Sequence, residues 1–311
     1  MEFKHIPVLL EETIEGLKIQ ENKIYVDCTL GGGSHSLEIA KRLKDGRLIC
    51  IDQDLDALNA AKAKLKDYSD KITFIKSNFK YFEEILDQLG IEKVDGVLMD
   101  IGVSSFQIDE VSRGFSYMED APLDMRMDKQ QELTAAFIVN NYSVEELSDI
   151  FFKYGEEKWS YRIAQFIVEK RREKEIETTF DLVEIIDSAV PLEVRKKSKG
   201  HYSKRVFQAL RIEVNDELGA LEYVLPRIVK RLNKGGRLCV ITFHSLEDRI
   251  VKNIFKDLNT DCICPPDLPI CVCNKKKEVE IITRKPITPT ELEMEENSRS
   301  KSSKLRIVER V

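Results

Sequence analysis

Between residues 24 and 100, short β-branched apolar runs alternate with stretches whose apolar residues recur at three- and four-residue spacing, the signature of parallel βαβ units. The pattern predicts strands over 24–28, 47–52, 72–76 and 94–99, and helices near 36–44, 55–65 and 81–89, with Asp45-Gly46 and Gly90 as helix stops. It resumes after residue 205 with a long amphipathic stretch over 207–232, a turn at Asn233-Lys234-Gly235-Gly236, a strand over 237–243 and a helix over 246–258. Two strand-like runs, 278–283 and 305–311, suit an antiparallel pair at the sheet edge. From 105 to 205 helical spacing dominates, with periodic segments at 135–140, 144–154, 161–172 and 180–190. The expected architecture is an α/β domain made of residues 1–108 and 206–311, carrying an all-helical domain inserted at 109–205.

The 311 residues suffice for about two domains with cores of their own. With 49 Lys+Arg against 55 Asp+Glu, the net charge of -6 excludes one global positive field for capturing a polyanion but leaves room for local basic patches. The N-terminus carries acid and proline where a secretory leader would carry basic residues before an apolar run, and nothing approaches the roughly 18 apolar residues of a membrane span. Seven cysteines without an export signal predict a reducing, cytoplasmic setting and no membrane partner.

The sharpest local feature is the loop Asp27-Cys28-Thr29-Leu30-Gly31-Gly32-Gly33-Ser34-His35-Ser36, between the first strand and the first helix. Its glycines let backbone approach a ligand closely. A dinucleotide fingerprint counted from Gly31 wants a third glycine where Ser36 stands, and Asp27 before the loop would repel a pyrophosphate but suits an ammonium group. S-adenosylmethionine offers an ammonium and a sulfonium and no phosphate. Asp52, 19 positions beyond Gly33, ends the second strand, where a carboxylate accepts ribose hydroxyls. Ser77-Asn78-Phe79 follows the third strand, where an amide and an aromatic face suit an adenine, and Asp100 ends the fourth. Loops at the carboxyl ends of successive parallel strands converge where open α/β sheets bind ligands. Asp54 and Asp56 read as helix caps. An NAD(P)-dependent oxidoreductase and a non-catalytic RNA- or zinc-binding regulator are the competing readings; the broken fingerprint opposes the first and the set of strand-end acids the second.

These residues resemble the bacterial ribosomal RNA small-subunit methyltransferase H family, also called MraW. Beyond the loop, the resemblance runs through His5-x-Pro7-Val8-Leu9-Leu10, Ile51-Asp52-Gln53-Asp54, Met99-Asp100-Ile101-Gly102-Val103-Ser104-Ser105, Arg113-Gly114-Phe115-Ser116 and Pro122-Leu123-Asp124-Met125-Arg126-Met127. It continues through Tyr154-Gly155-Glu156-Glu157, Phe207-Gln208-Ala209-Leu210-Arg211-Ile212 and Phe243-His244-Ser245-Leu246-Glu247-Asp248-Arg249. It implies a Rossmann-like class I fold, S-adenosylmethionine as cofactor, and N4-methylation of a cytidine in the decoding centre (P-site region) of 16S rRNA in the small ribosomal subunit. The family's cofactor contacts fall on Gly33, Ser34, His35, Asp52, Phe79, Asp100 and Gln107, beside Asp27 and Gly31 from the loop itself. Ser34 stands where the family often has glycine, so backbone contact there is the weakest of these.

For catalysis the candidates are Asp100, as acceptor of a hydrogen bond from the target amine, and His244, at the end of a strand, where it meets the base or ribose unless the segment only caps the next helix through Ser245. Phe115 and Tyr117 are other candidates to stack on the base. For RNA contact the run Arg195-Lys196-Lys197-Ser198-Lys199-Gly200-His201-Tyr202-Ser203-Lys204-Arg205 holds six basic residues and no acid, with His201 and Tyr202 placed to stack on bases. Arg299, Lys301, Lys304 and Arg306 form a second basic stretch. Cys28, Cys50 and Cys239 read as core fillers. Cys262, Cys264, Cys271 and Cys273 match a tetrahedral zinc set in type and number, though at tighter spacing than usual, and methyl transfer requires no metal. The helical insert suits a homodimer as well as substrate binding.

Overall fold

In a computed structural model that describes residues 7–198, 200–265 and 270–311, the chain forms two compact units, Met1–Gly102 with Leu218–Val311, and Val103–Glu217. The first unit is built on one sheet. Strands β1 (Ile24–Asp27), β2 (Arg47–Asp52), β3 (Ile72–Lys76), β4 (Val94–Asp100), β5 (Leu232–Thr242), β6 (Val279–Ile281) and β7 (Lys304–Arg310) lie in the order β3-β2-β1-β4-β5-β7-β6. The first five are parallel; β7 runs antiparallel to β5, and β6 antiparallel to β7. Side chains alternate across the sheet with the period of two that strand geometry imposes. Val26, Ile49, Ile51, Val97, Met99, Leu238 and Val240 pack on one face against helices Phe82–Gln88, Glu217–Lys230 and Ser245–Leu258. Tyr25, Leu48, Cys50, Leu98, Cys239, Ile241 and Ile307 pack on the other against helices Leu10–Leu17, Ser34–Arg42 and Leu55–Lys64. Cys28, Cys50 and Cys239 are buried in these cores as small apolar fillers.

Two predicted elements are corrected. The turn at 233–236 lies inside β5: β4 residue Val94 pairs with Leu232 but Gly96 with Arg237, so the extra residues form an irregularity, with Gly235 at φ 80°, and the strand continues. The amphipathic stretch 207–232 is two helices, Lys204–Asn215 and Glu217–Lys230, broken at Asp216, whose φ of 49° is left-handed. Among the described residues no helix is long and apolar enough to cross a membrane.

The second unit is helical, with Ala135–Asn141, Val144–Gly155, Ser160–Lys170, Thr179–Ala189 and Lys204–Asn215 enclosing Leu147, Phe151, Ile163, Ile167, Leu182, Ile186, Phe207 and Leu210. Reciprocal capping boxes, Ser143 with Glu146 and Thr178 with Asp181, start two of these helices. The motifs at 113–116 and 122–127 hold each other. Arg113 is buried and donates to the carbonyls of Arg126 (2.8 Å) and Met127 (3.0 Å). Gly114 has φ 67°, and a Cβ there would lie 2.1 Å from the Pro122 carbonyl. Asn215, just before the helix break, donates to the Met125 carbonyl and accepts from Met127 N, both at 2.8 Å, which ties the helix Lys204–Asn215 to the 122–127 segment. The joins of the two units fall after 102 and after 217, whereas the sequence pattern sets them at 108/109 and 205/206; the helix Lys204–Asn215 packs on Val144–Gly155, so it lies with the helical unit.

Candidate active site

Asp27, Asp52 and Asp100 stand at the carboxyl ends of β1, β2 and β4, beside the point where the strand order reverses between β1 and β4. The loop after β1 is shaped by glycines at positive φ, Gly31 at 48° and Gly33 at 69°, the second serving as N-cap of the helix Ser34–Arg42. A Cβ on Gly33 would also press on Ala61 at 3.2 Å. Ser34 is already in the right-handed helix, so this position does not need glycine's freedom; its hydroxyl accepts from Lys64 Nζ at 2.7 Å, and the same ammonium donates to the Gly32 carbonyl at 3.2 Å.

The three carboxylates have distinct surroundings. Asp27 is 1 % exposed; its Oδ1 accepts from Thr29 N (3.1 Å) and its Oδ2 from Ser36 Oγ (2.7 Å). Burial lifts it to about 6, against the pull of the two donors. It therefore braces the loop from within, and the sequence expectation that it holds an ammonium is corrected: its carboxylate does not reach the surface. The serine that breaks the dinucleotide fingerprint is half of this brace. Removing the hydroxyl in Ser36→Ala is expected to cost about 1–3 kcal/mol, more at pH 8 than at pH 5, because the lost donor serves the ionised carboxylate. Urea unfolding at both pH values checks this, and a cost below about 0.5 kcal/mol at pH 8 rules the brace out.

Asp52 receives Gly31 N on Oδ2 and Asp54 N on Oδ1, both at 2.8 Å, so the acid at the end of β2 also fixes the glycine loop. Burial raises it to about 6 against these amides. Beside it, Ser77 N donates to the Asp52 carbonyl (3.0 Å), and Asn78 donates to the Gln53 side chain (2.8 Å) while capping the turn Phe79–Tyr81. Phe79 is half-buried against the sheet core, one residue from this cluster. Asp54 caps the helix Leu55–Lys64 by accepting from Asp56 N, as its position predicts.

Asp100 is held by its backbone, its N–H donating to Thr29 Oγ1 at 2.6 Å. Its side chain is about one-fifth exposed; Oδ2 lies 3.7 Å from His35 Nδ1, and Oδ1 is buried without a hydrogen bond among the described residues. Burial, with Asp27 and then Glu247 as like charges, pushes its carboxyl up to about 8. His35, buried on the first turn of its helix, has Nε2 at 3.1 Å from the Val8 carbonyl, which requires Nε2–H and leaves Nδ1 toward Asp100.

His244 is the N-cap of the helix Ser245–Leu258, so the capping residue is His244 and not Ser245. Its Nδ1 accepts from Glu247 N at 3.5 Å, while Nε2 approaches Glu247 Oε1 at 3.0 Å. Glu247 is fully buried, its Oε2 receiving Phe243 N (2.8 Å) and His244 N (3.1 Å). Glu247 is a second acid close enough to Asp100 to act on it as a like charge, a placement the sequence reading did not assign, although the three-residue spacing of His244 and Glu247 is that of a capping box.

Gln107 belongs to the helical unit, where it is buried and pairs with Ser104 in a capping box. In the same unit the basic run is divided. Arg195 is engaged with the Val190 carbonyl (3.2 Å) and Asp187 (2.7 Å), and the Tyr202 hydroxyl donates to buried Glu157 at 2.5 Å. His201 stacks on Tyr117, ring centroids 4.7 Å apart. His201 is exposed and keeps its other ring face open, whereas Tyr202 is half-buried and packs against the helical core. Lys196, Lys197, Lys204 and Arg205 are exposed; Lys199 lies outside the described residues. In the first unit Lys304 and Arg306 pair with Asp248 (2.9 and 2.7 Å), which withdraws them from the second basic stretch.

The strand order, with an antiparallel hairpin at one edge and acids at the strand ends, is that of Rossmann-like, S-adenosylmethionine-dependent methyltransferases. More specifically, a model of the MraW methylase family matches residues 2–311, and the chain belongs to that family. It is 59 % identical over 311 residues to "Ribosomal RNA small subunit methyltransferase H" of Finegoldia magna, with both chains fully covered. Its identity to the protein of the same name in Clostridium botulinum is 58 % over 312 residues, again with full coverage of both. Among solved structures it is similar to an rRNA methylase from Streptococcus thermophilus, with a TM-score of 0.43, 10 % identity and 99 % of each chain covered. Family membership sets the oxidoreductase and the non-catalytic regulator aside.

Proposed function

We propose that this chain transfers the methyl group of S-adenosylmethionine to the exocyclic N4 of a cytidine in the decoding centre, the P-site region, of 16S rRNA in the small ribosomal subunit. The observation that carries the chemical part is Asp100: a carboxylate at the end of β4, with one oxygen that has no hydrogen bond among the described residues, in a site whose other acids and amides suit a cationic, ribose-bearing ligand. The rRNA and the small subunit rest on the names of the full-length relatives, and the N4 atom on the resemblance of the motifs.

The residues fit the cofactor. Asp52, preset by the Gly31 and Asp54 amides, would accept the ribose hydroxyls, Phe79 and Asn78 would hold the adenine, and the Gly31–His35 backbone would hold the methionine end. When bound, the sulfonium supplies an electrophilic methyl group and draws the neighbouring carboxyls toward ionisation. Asp100, once ionised, accepts an N–H of the cytosine amine, which localises the nitrogen lone pair that ring conjugation otherwise withdraws. The nitrogen would form its bond to the methyl carbon as the carbon–sulfur bond broke, and Asp100 would receive its surplus proton. Positioning accounts for most of the rate. His244, held by Glu247, orients the end of β5 in this scheme.

A base in a stack cannot be reached, so the target is extruded or lies in an open region, which requires contacts to phosphate. We assign these to the helical unit through Lys196, Lys197, Lys204 and Arg205. Reversing three of them, Lys196→Glu, Lys197→Glu and Lys204→Glu, is expected to lower the salt slope of RNA binding by about two to three and to leave cofactor affinity alone. An unchanged slope in filter binding over a salt series removes that surface from the account. Label transfer from tritiated S-adenosylmethionine to separate pools of naked 16S rRNA, small subunits and whole ribosomes tests the substrate. Label in small subunits or their rRNA is expected, and label in none of the pools contradicts the reading.

A further inference from the structure

Outside the site just described, four thiols converge at the tip of the loop that joins the helix Ser245–Leu258 to β6. The stem of this loop is closed by Glu278 N donating to the Leu258 carbonyl at 2.8 Å and by the Lys275–Asp257 ion pair. At its tip the sulfurs of Cys262, Cys264, Cys271 and Cys273 all lie within 4.8 Å of one another. Cys262 to Cys271 and Cys271 to Cys273 are 3.5 Å, Cys262 to Cys273 is 3.9 Å and Cys264 to Cys271 is 4.0 Å. A regular tetrahedron of thiolates at the zinc–sulfur distance of about 2.3 Å has edges of about 3.8 Å. The observed separations bracket that value.

Three backbone amides are aimed at these sulfurs: Ile263 N at Cys273 Sγ (3.4 Å), Cys264 N at Cys262 Sγ (3.4 Å) and Val272 N at Cys264 Sγ (3.3 Å). Amides directed at sulfur stabilise thiolates, the form in which cysteine ligates metals. Above its stem, the described part of the loop is not ordered by apolar burial. No described residue between 261 and 278 is buried, and Ile263, Ile270 and Val272 are 64 %, 75 % and 70 % exposed. A stretch this poor in apolar burial does not offset its backbone entropy by packing, and a metal bound by four residues does so instead.

We infer that Cys262, Cys264, Cys271 and Cys273 form a structural zinc site. Binding releases the four thiol protons as four sulfur–zinc bonds form, giving a site of net charge 2− that the three amides partly neutralise. Four protein ligands close the coordination sphere, so the metal takes no part in methyl transfer. Its role is to fix the loop and hold Ile263, Ile270 and Val272 at the surface. The softness of the thiolates and the tetrahedral spacing favour zinc over harder cations such as magnesium, and iron is the rival that the same geometry admits.

The test uses the full-length chain purified with a thiol reductant in metal-free buffer. Elemental analysis is expected to give about one zinc per chain, released when a mercurial titrates the thiols, and replacement by cobalt is expected to show the intense visible bands of tetrahedral thiolate ligation. The double variant Cys262→Ser with Cys271→Ser is expected to lose the metal while its affinity for S-adenosylhomocysteine stays within about twofold, since neither residue belongs to the cofactor site. Should that variant fail to fold, the zinc content and cobalt spectrum of the unaltered protein still decide the matter. Zinc below about a tenth of an equivalent overturns the inference. Iron in its place, or an intact mass four hydrogen atoms lighter without metal under non-reducing conditions, which marks oxidation to two disulfides, overturns it as well.

Discussion

Asp100→Asn is expected to lower kcat for methyl transfer by about 10²- to 10⁴-fold, the range for loss of a positioned proton acceptor. The amide keeps the shape but presents one oxygen acceptor where two existed and has no basicity. The protein is expected to fold at least as well as the parent at pH 8, because a carboxyl lifted to about 8 by burial and by Asp27 and Glu247 is a liability there, and asparagine removes the charge. Loss of rate with unchanged or raised thermal stability separates a role in the reaction from a structural one. Native-rate methylation by a folded variant that binds cofactor sinks the assignment. A second readout is the pH profile: the parent's kcat/KM rises with pH through the Asp100 ionisation, and the variant's loses that limb.

The unliganded protein is expected to lose stability as pH rises from about 5 to about 8. Asp27 and Asp52, at about 6, and Asp100, at about 8, are all raised above the ordinary carboxylate value, so the folded chain binds more protons than the unfolded one. Their stabilising contribution is complete at low pH, below the unfolded carboxylate range, and is lost as pH passes the folded values. The total is on the order of several kcal/mol, at about 1.4 kcal/mol for each tenfold gain in proton affinity on folding. A sulfonium beside these groups favours their ionised forms, so the stabilisation by S-adenosylmethionine grows over the same interval. Thermal denaturation at about pH 5.5 and pH 8, with and without the cofactor, measures both trends. A liganded shift in Tm that is larger at the lower pH contradicts the electrostatic description of the site.

The sheet was legible because its strands are β-branched runs punctuated by glycine and aspartate; β2 and β3 lie where the pattern sets them, and β1 and β4 differ by one residue at the end. The break at Asp216 was hidden because apolar spacing runs through it, although Asn-Asp is a pair that tolerates left-handed backbone. Strand β5 extends through two glycines because its early residues pair with β4 around an irregular register, a tertiary fact. At the site, strand-end acids declared themselves by position. What sequence could not supply was the direction of each side chain: Asp27 turned inward onto Ser36, Tyr202 drawn to Glu157, and Lys304 and Arg306 neutralised by Asp248 from a helix more than fifty residues away.

The central claim is that a cytosine amine of the small-subunit RNA receives the methyl group. Small subunits labelled by the purified protein with tritiated S-adenosylmethionine, digested to nucleosides and resolved by chromatography with mass detection, test it directly. The expected product is N4-methylcytidine, confined to one oligonucleotide from the P-site region of 16S rRNA. Label on a base carbon, as in 5-methylcytidine, or on a ribose 2′-hydroxyl contradicts the account.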